Sequence, residues 1–267
     1  MGNLFENLKN WLHTETAPVY PYPAVDIRLS KKLKLHIVGS IHIGTETMFP
    51  LSATLLDKLN LADALIVEAD ITETHSPFPS DDIAELLPVE QRLTRDEYHL
   101  FQQYCLELRQ SPERFDTLPS WQIALILQAT QAQELGLRGH YGIDYQLIRN
   151  AQSQLKPIIE LEGTASQVEL LLSLPNNGLA LLQDSLNHWR ANARSLQTMI
   201  GWWLDYQPNN RTALPNTFSE DIYQVLMKQR NANWNEQLRS LPDGNYVVAV
   251  GALHLFGENS LVEYLRN

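Results

Sequence analysis

Short apolar runs spread along this chain, separated by stretches of helical periodicity, restrict it to one kind of architecture. Leu33–Val38, Ala64–Val67, Pro157–Leu161 and Tyr246–Gly251 are strand-like runs. Between them, Leu51–Leu61 places Leu51, Leu55, Leu56 and Leu59 on one helical face, and helical patterns fill Ile83–Gly136, Gly142–Ser153 and Thr164–Leu241. Strands joined by helical crossovers lie parallel in one sheet. Only the start departs from this: Ala24–Leu29 and Leu33–Val38, separated by Ser30-Lys31-Lys32, read as a hairpin. The expectation is an α/β fold with a mixed, largely parallel central sheet and large helical inserts near residues 83–136 and 164–241. No linker, repeat or low-complexity segment divides residues 1–267, so a single domain is expected. Ser111-Pro112, Leu118-Pro119-Ser120, Asn176-Asn177-Gly178 and Pro208-Asn209-Asn210 punctuate the helices, and Thr72–Asp82 reads as a loop. Leu4, Phe5, Leu8, Trp11 and Leu12 follow the spacing of a short amphipathic helix.

Open α/β sheets collect ligand-binding residues at the carboxyl ends of their strands. Two of those ends carry Gly-x-x-His: Gly39-Ser40-Ile41-His42 after the first run and Gly251-Ala252-Leu253-His254 after the last. The run Ala64–Val67 leads into Glu68, and Pro157–Leu161 carries Glu160 and Glu162 at its end. Strand alternation puts these two glutamates on one face, so either suits the site and the other a supporting place. Gly39 and Gly251 let the chain turn sharply out of the sheet, or let a ligand approach the backbone. Imidazoles beside carboxylates suit a divalent metal ion such as Zn²⁺, Mn²⁺ or Co²⁺, which activates water or polarises a carbonyl. Without a metal, the same groups serve as general base and acid. For Glu68 the competing reading is a structural ion pair with an arginine, since a buried carboxylate needs a partner.

Composition removes several classes. The formal net charge of −11 and the absence of a Lys/Arg cluster argue against nucleic-acid binding. No run approaches the roughly 20 apolar residues that span a bilayer, and no secretory signal is present, so the expected location is cytoplasmic. Cys105, the single cysteine, falls on an amphipathic helical pattern and reads as a buried structural thiol. Trp202-Trp203 reads as core, and His36 as a packed or exposed strand residue.

The order of motifs is Gly-Ser-Ile-His42, Leu-Ile-Val-Glu68, Tyr-Gly-Ile-Asp144, Lys-Pro-Ile-Ile-Glu-Leu-Glu162, Arg230-Asn231 and Gly-Ala-Leu-His254. It resembles the TraB/GumN family, to which the TIKI proteins are similar, from the first hairpin to the last helix. The resemblance implies an erythromycin-esterase-like fold and a metal-dependent, peptidase-like hydrolase acting on a peptide or small-molecule substrate. It also implies that His42, Glu68 and His254 hold the ion, with Glu162 as a further ligand or base. Arg230, with Asn231 beside it, would bind a substrate carboxylate or stabilise an oxyanion. An ion pair with Glu236 competes for Arg230, and a helix-capping role competes for Asp144. Erythromycin-esterase-like hydrolases and haem-binding ChaN-like proteins share the wider fold. A metal-free esterase-like hydrolase and a haem or small-ligand binder therefore stand as alternatives. The insert at Ile83–Gly136 is open to two readings, a lid or the surface of a homodimer.

Overall fold

The computed structural model describes residues 19–72, 86–205, 224–256 and 259–267. The helix expected at Leu4–Leu12, most of the Thr72–Asp82 loop and the turn at Pro208–Asn210 lie outside the described residues.

Five strands make one sheet: β1 (Ala24–Arg28), β2 (Leu33–Ser40), β3 (Ala64–Val67), β4 (Ile158–Glu160) and β5 (Gly244–Gly251), in the order β1-β2-β5-β3-β4. β1 and β2 form the expected antiparallel hairpin, and every other neighbouring pair is parallel. Ser30 fixes the hairpin turn, its hydroxyl accepting from the N–H groups of Lys32 and Leu33 at 3.1 and 3.0 Å.

The sheet is covered on both faces, which is why its central strands are almost wholly apolar. On one face Val38, Leu65, Val67, Val247 and Ala249 pack against α1 (Ala53–Leu61), α5 (Ile143–Ser153) and α8 (Trp189–Leu204). On the other, Leu35, Ile37, Ile66, Val248 and Val250 meet Trp234 and Leu238 of α9 (Gln229–Arg239) and the apolar side of α10 (Leu261–Arg266). Each fully buried Leu, Ile or Val of this kind contributes about 1.5–3 kcal/mol.

The inserts build a core of their own. Phe101 and Cys105 of α3 (Arg95–Glu107), Phe115, Leu127 of α4 (Ser120–Glu134) and Leu182 of α7 (Pro175–Asn187) are completely buried together. Val89 of the short α2 (Val89–Arg92) joins them. A capping box starts α3: Thr94 Oγ1 accepts from Glu97 N–H, and the Glu97 carboxylate accepts from Thr94 N–H at 2.9 Å. α6 (Gly163–Leu172) leads to Asn176-Asn177-Gly178, where all three residues take positive φ and break the helical path, as the sequence suggests.

Two expectations need correction. Pro157–Leu161, an apolar run that reads as a third core strand, is an edge strand instead: β4 stands at the margin of the sheet, is three residues long, and leaves Ile159 and Glu160 exposed. An edge strand has a neighbour on one side only, so a short apolar run does not by itself report central placement. Gly39 does not turn the chain out of the sheet either, because β2 continues through Ser40. Its need for glycine is close packing: a Cβ there would lie 3.2 Å from the Ala252 Cα.

Candidate functional site

β2 and β5 pair in parallel with Gly39 opposite Val250 and Ser40 opposite Gly251. The two Gly-x-x-His motifs thus run side by side, staggered by one residue. After β2 the first motif crosses to the start of α5, where Ile41 C=O accepts from Ile143 N–H at 2.9 Å. Gly142 lies so close to the His42 carbonyl that no side chain fits there. After β5 the second motif curls into a 3₁₀ turn, Ala252–Leu255, with His254 inside it.

Glu68, one residue beyond β3, is 5 % exposed. Its Oε1 accepts from Gly251 N–H at 2.7 Å and its Oε2 from Arg230 Nη2 at 2.6 Å. Arg230, on the first turn of α9, also forks onto Glu162, with Nε donating to Oε1 at 2.8 Å and Nη2 to Oε2 at 2.9 Å. Its guanidinium lies over the Trp234 ring at 4.6 Å. Such bidentate, partly desolvated pairing fixes both the place and the plane of the arginine.

The neighbouring Asn231 settles the state of His254. Asn231 Nδ2 donates to Asn259 C=O at 2.9 Å, so its Oδ1 is the acceptor facing His254 Nδ1 at 2.7 Å. Nδ1 therefore carries the proton, and the Nε2 lone pair accepts from Arg230 Nη1 at 3.4 Å. Burial, reinforced by Arg230 and His42, holds the imidazole below its ordinary pKa against the pull of Glu68. It is neutral at pH 7.

His42 differs. Its side chain is 55 % exposed, and its Nδ1 lies 3.0 Å from the buried Asp144 Oδ2. That contact is an ion pair by distance without hydrogen-bond alignment, since Asp144 Oδ2 makes no hydrogen bond. The Asp144 carboxylate raises the His42 pKa more than partial desolvation lowers it, and Glu68 adds to the rise. For Glu68 itself, burial pushes the carboxyl up. Arg230, His42 and the Gly251 N–H together outweigh burial and hold it below the ordinary range.

The sequence-predicted residues thus divide. His42, Glu68, Asp144, Glu162, Arg230, Asn231 and His254 form one linked cluster at the carboxyl end of the sheet, with Gly39 and Gly251 beneath it. Glu160 does not belong to it: its Oε2 accepts from Asp70 N–H at 2.8 Å. The alternation expected to align Glu160 with Glu162 stops because β4 ends at Glu160. Asp144 is not a cap, since Gly142 holds the N-cap position and no side chain caps α5. Arg230 pairs with Glu68 and Glu162 rather than Glu236. Among the described residues, no three His, Cys, Asp or Glu side chains converge as a ready metal site.

Three supporting residues escape a reading by strand ends. Trp234 is fully buried between Arg230 and His254, with its ring 4.5 Å from the imidazole. Trp203 donates its Nε1–H to Gly39 C=O at 2.6 Å, bracing the first motif from α8. Gly142 starts the helical pattern Gly142–Ser153, and nothing in that pattern tells that it packs against the His42 carbonyl.

The TraB/PrgY/gumN family model matches residues 27–267. Two relatives, each called "Uncharacterized protein YbaP", come from Escherichia coli (strain K12) and Shigella flexneri. Both are 53 % identical over 248 residues, covering 92 % of this chain and 93 % of theirs. No solved structure matches.

Proposed function

The chain belongs to the TraB/PrgY/gumN family, and from that premise we propose that its cluster is the centre of a hydrolase that cleaves a peptide or amide bond with the help of a divalent metal ion, Zn²⁺, Mn²⁺ or Co²⁺. The supporting observation is the charge and donor chemistry of the cluster. Arg230 pairs with Glu68 and Glu162 while Asp144 faces His42, so the cluster holds three carboxylates and one guanidinium. With both imidazoles neutral this leaves an excess of two negative charges, which a divalent cation neutralises. Without the ion, the raised pKa of His42 means that a proton supplies part of that compensation. Each histidine also has its Nδ1 facing a fixed oxygen, on Asp144 or Asn231, which is how a protein orients an imidazole to present Nε2 as a ligand.

His42 and His254 would hold the ion through Nε2, with Glu68 as the carboxylate ligand. When bound, the ion supplies an activated water or a polarised carbonyl. Glu162 holds Arg230 in plane, and the Arg230 guanidinium would stabilise negative charge on the substrate oxygen. Asn231 keeps the proton of His254 on Nδ1.

Metal content of untagged protein tests this reading. About one divalent ion per chain is expected, with none retained by a folded His42→Ala/His254→Ala variant. Hydrolysis of a peptide library should stop on chelation and return with the ion. A second reading, metal-free hydrolysis, is favoured by one contact. Arg230 already holds Glu68 at 2.6 Å beside a neutral His254, a base and a charge stabiliser in place together. Chelator-insensitive cleavage by protein free of metal would select it.

A further inference from the structure

Next to the cluster, a groove of about 310 Å³ runs between α6 and α9. We propose that it is a subsite for an extended, uncharged peptide main chain, which would lie beside the reacting bond. This assignment rests on the hydrolase reading and deepens it.

Continuity with the cluster is the first argument. Glu162 and Arg230 belong both to the charged cluster and to the groove wall. A chain bound in the groove therefore passes the residues proposed to act on it.

Gln229, Asn233 and Gln237 of α9 also line the groove and recur every fourth residue, so they form one stripe along the helix. All three are exposed, and among the described residues their side-chain amides hydrogen-bond to nothing. Four residues of helix rise about 6 Å, close to the roughly 6.6 Å between alternate residues of an extended chain. A side-chain amide both donates and accepts, as does each peptide unit. The stripe thus matches the spacing and polarity of a peptide backbone, with no demand on its side chains.

Charge points the same way. In a chain of net charge −11, the only charged groups lining the groove among the described residues are Glu162 and Arg230, which are paired with each other. Neither an anionic nor a cationic ligand has a counter-charge there. Trp234 adds a separate observation: it is fully buried in the lining, and its Nε1–H has no hydrogen-bond partner. An oligosaccharide, which would need an exposed aromatic face to stack on, is not favoured, because Arg230 and His254 cover the Trp234 ring.

The test is calorimetric titration of the whole chain with acetylated and amidated Ala-Ser peptides of two, four and six residues, and with maltohexaose. The dissociation constant should fall about tenfold or more from the shortest peptide to the longest. The variant Gln229→Ala/Asn233→Ala/Gln237→Ala should lose that gain while keeping its circular dichroism and melting temperature. Binding that ignores peptide length, a triple variant that binds like the parent, or preference for maltohexaose would each overturn the subsite. So would failure of every peptide to bind at millimolar concentration. Cleavage of the same peptides is followed in parallel. Length-dependent binding without cleavage keeps the groove and removes the hydrolase, and cleavage without length dependence does the reverse.

Discussion

Two buried histidines in this protein have the same exposure, 5 %, and opposite characters. His36, in the middle of β2, uses both ring nitrogens: Nδ1 lies 2.7 Å from Asp26 Oδ1 and Nε2 lies 3.1 Å from the Tyr22 hydroxyl. Asp26 is further held by the Tyr20 hydroxyl at 2.5 Å and by Lys58 at 3.1 Å. His254 also uses both ring nitrogens, its Nδ1–H donating to Asn231 Oδ1 at 2.7 Å, but its Nε2 accepts from Arg230 Nη1 only at the long distance of 3.4 Å. The first arrangement is closed, with each partner satisfied by another within the network. The second is held most loosely at Nε2, where the longest of these four contacts meets the charged cluster. Burial and a nearby carboxylate are common to both, so neither marks a functional histidine. The weakly held Nε2, set against the charged cluster, does.

The sharpest way to break this contrast is Arg230→Ala. It would leave Glu68 buried against β5 without its cation, and the expected loss is about 3–5 kcal/mol of stability by denaturant titration. A loss comparable to that of an exposed ion pair would mean that the cluster is not desolvated as described. Next, His254→Ala should lower turnover by about 10²–10⁴-fold while the protein stays folded. His36→Ala should leave turnover unchanged and lower stability by about 1–3 kcal/mol, because Asp26 and Tyr22 lose their shared partner. Equal effects of the two substitutions on turnover would erase the distinction.

The pH profile sharpens it further. Burial pushes Asp26 up, but hydrogen bonds from His36 and Tyr20, with Lys58 nearby, outweigh it, so its folded pKa is depressed. Its contribution to stability is therefore present above the ordinary value near ~4 and is lost as pH falls toward the folded value. Chemical denaturation from pH 5 downward should show a gentler loss for Asp26→Asn than for the parent; parallel curves would contradict the network. The smallest effect belongs to Trp203→Phe. It removes the hydrogen bond to Gly39 C=O, should lower stability by about 1 kcal/mol, and is read as a shift in denaturation midpoint.

The sequence disclosed the sheet because its central strands are covered on both faces and so read as apolar runs. For the same reason it disclosed the strand ends where His42, Glu68 and His254 stand. It did not separate Glu160 from Glu162, because that depends on where an edge strand stops, and apolar pattern is silent there. Arg230 and Asn231 could be named only through a family resemblance. They occupy the first turn of a polar helix, where nothing in the periodicity separates a residue facing a neighbour from one facing solvent. Trp203 reaches Gly39 across 164 positions. Contacts of that span arise from the packing of α8 on the sheet, which no local pattern encodes.

The strand order has a consequence for how the molecule comes into being. β5, last of the strands along the chain, lies between β2 and β3, which share no pairing of their own. During synthesis the hairpin and the β3–β4 pair emerge first, and each must wait with an unsatisfied edge until residues 244–251 are available to fill the gap. Folding of this kind is slow, because the pairings that complete the sheet join distant parts of the chain. A nascent chain in that interval is a natural client for chaperones. A stop codon upstream of β5 would remove the middle of the sheet rather than its margin.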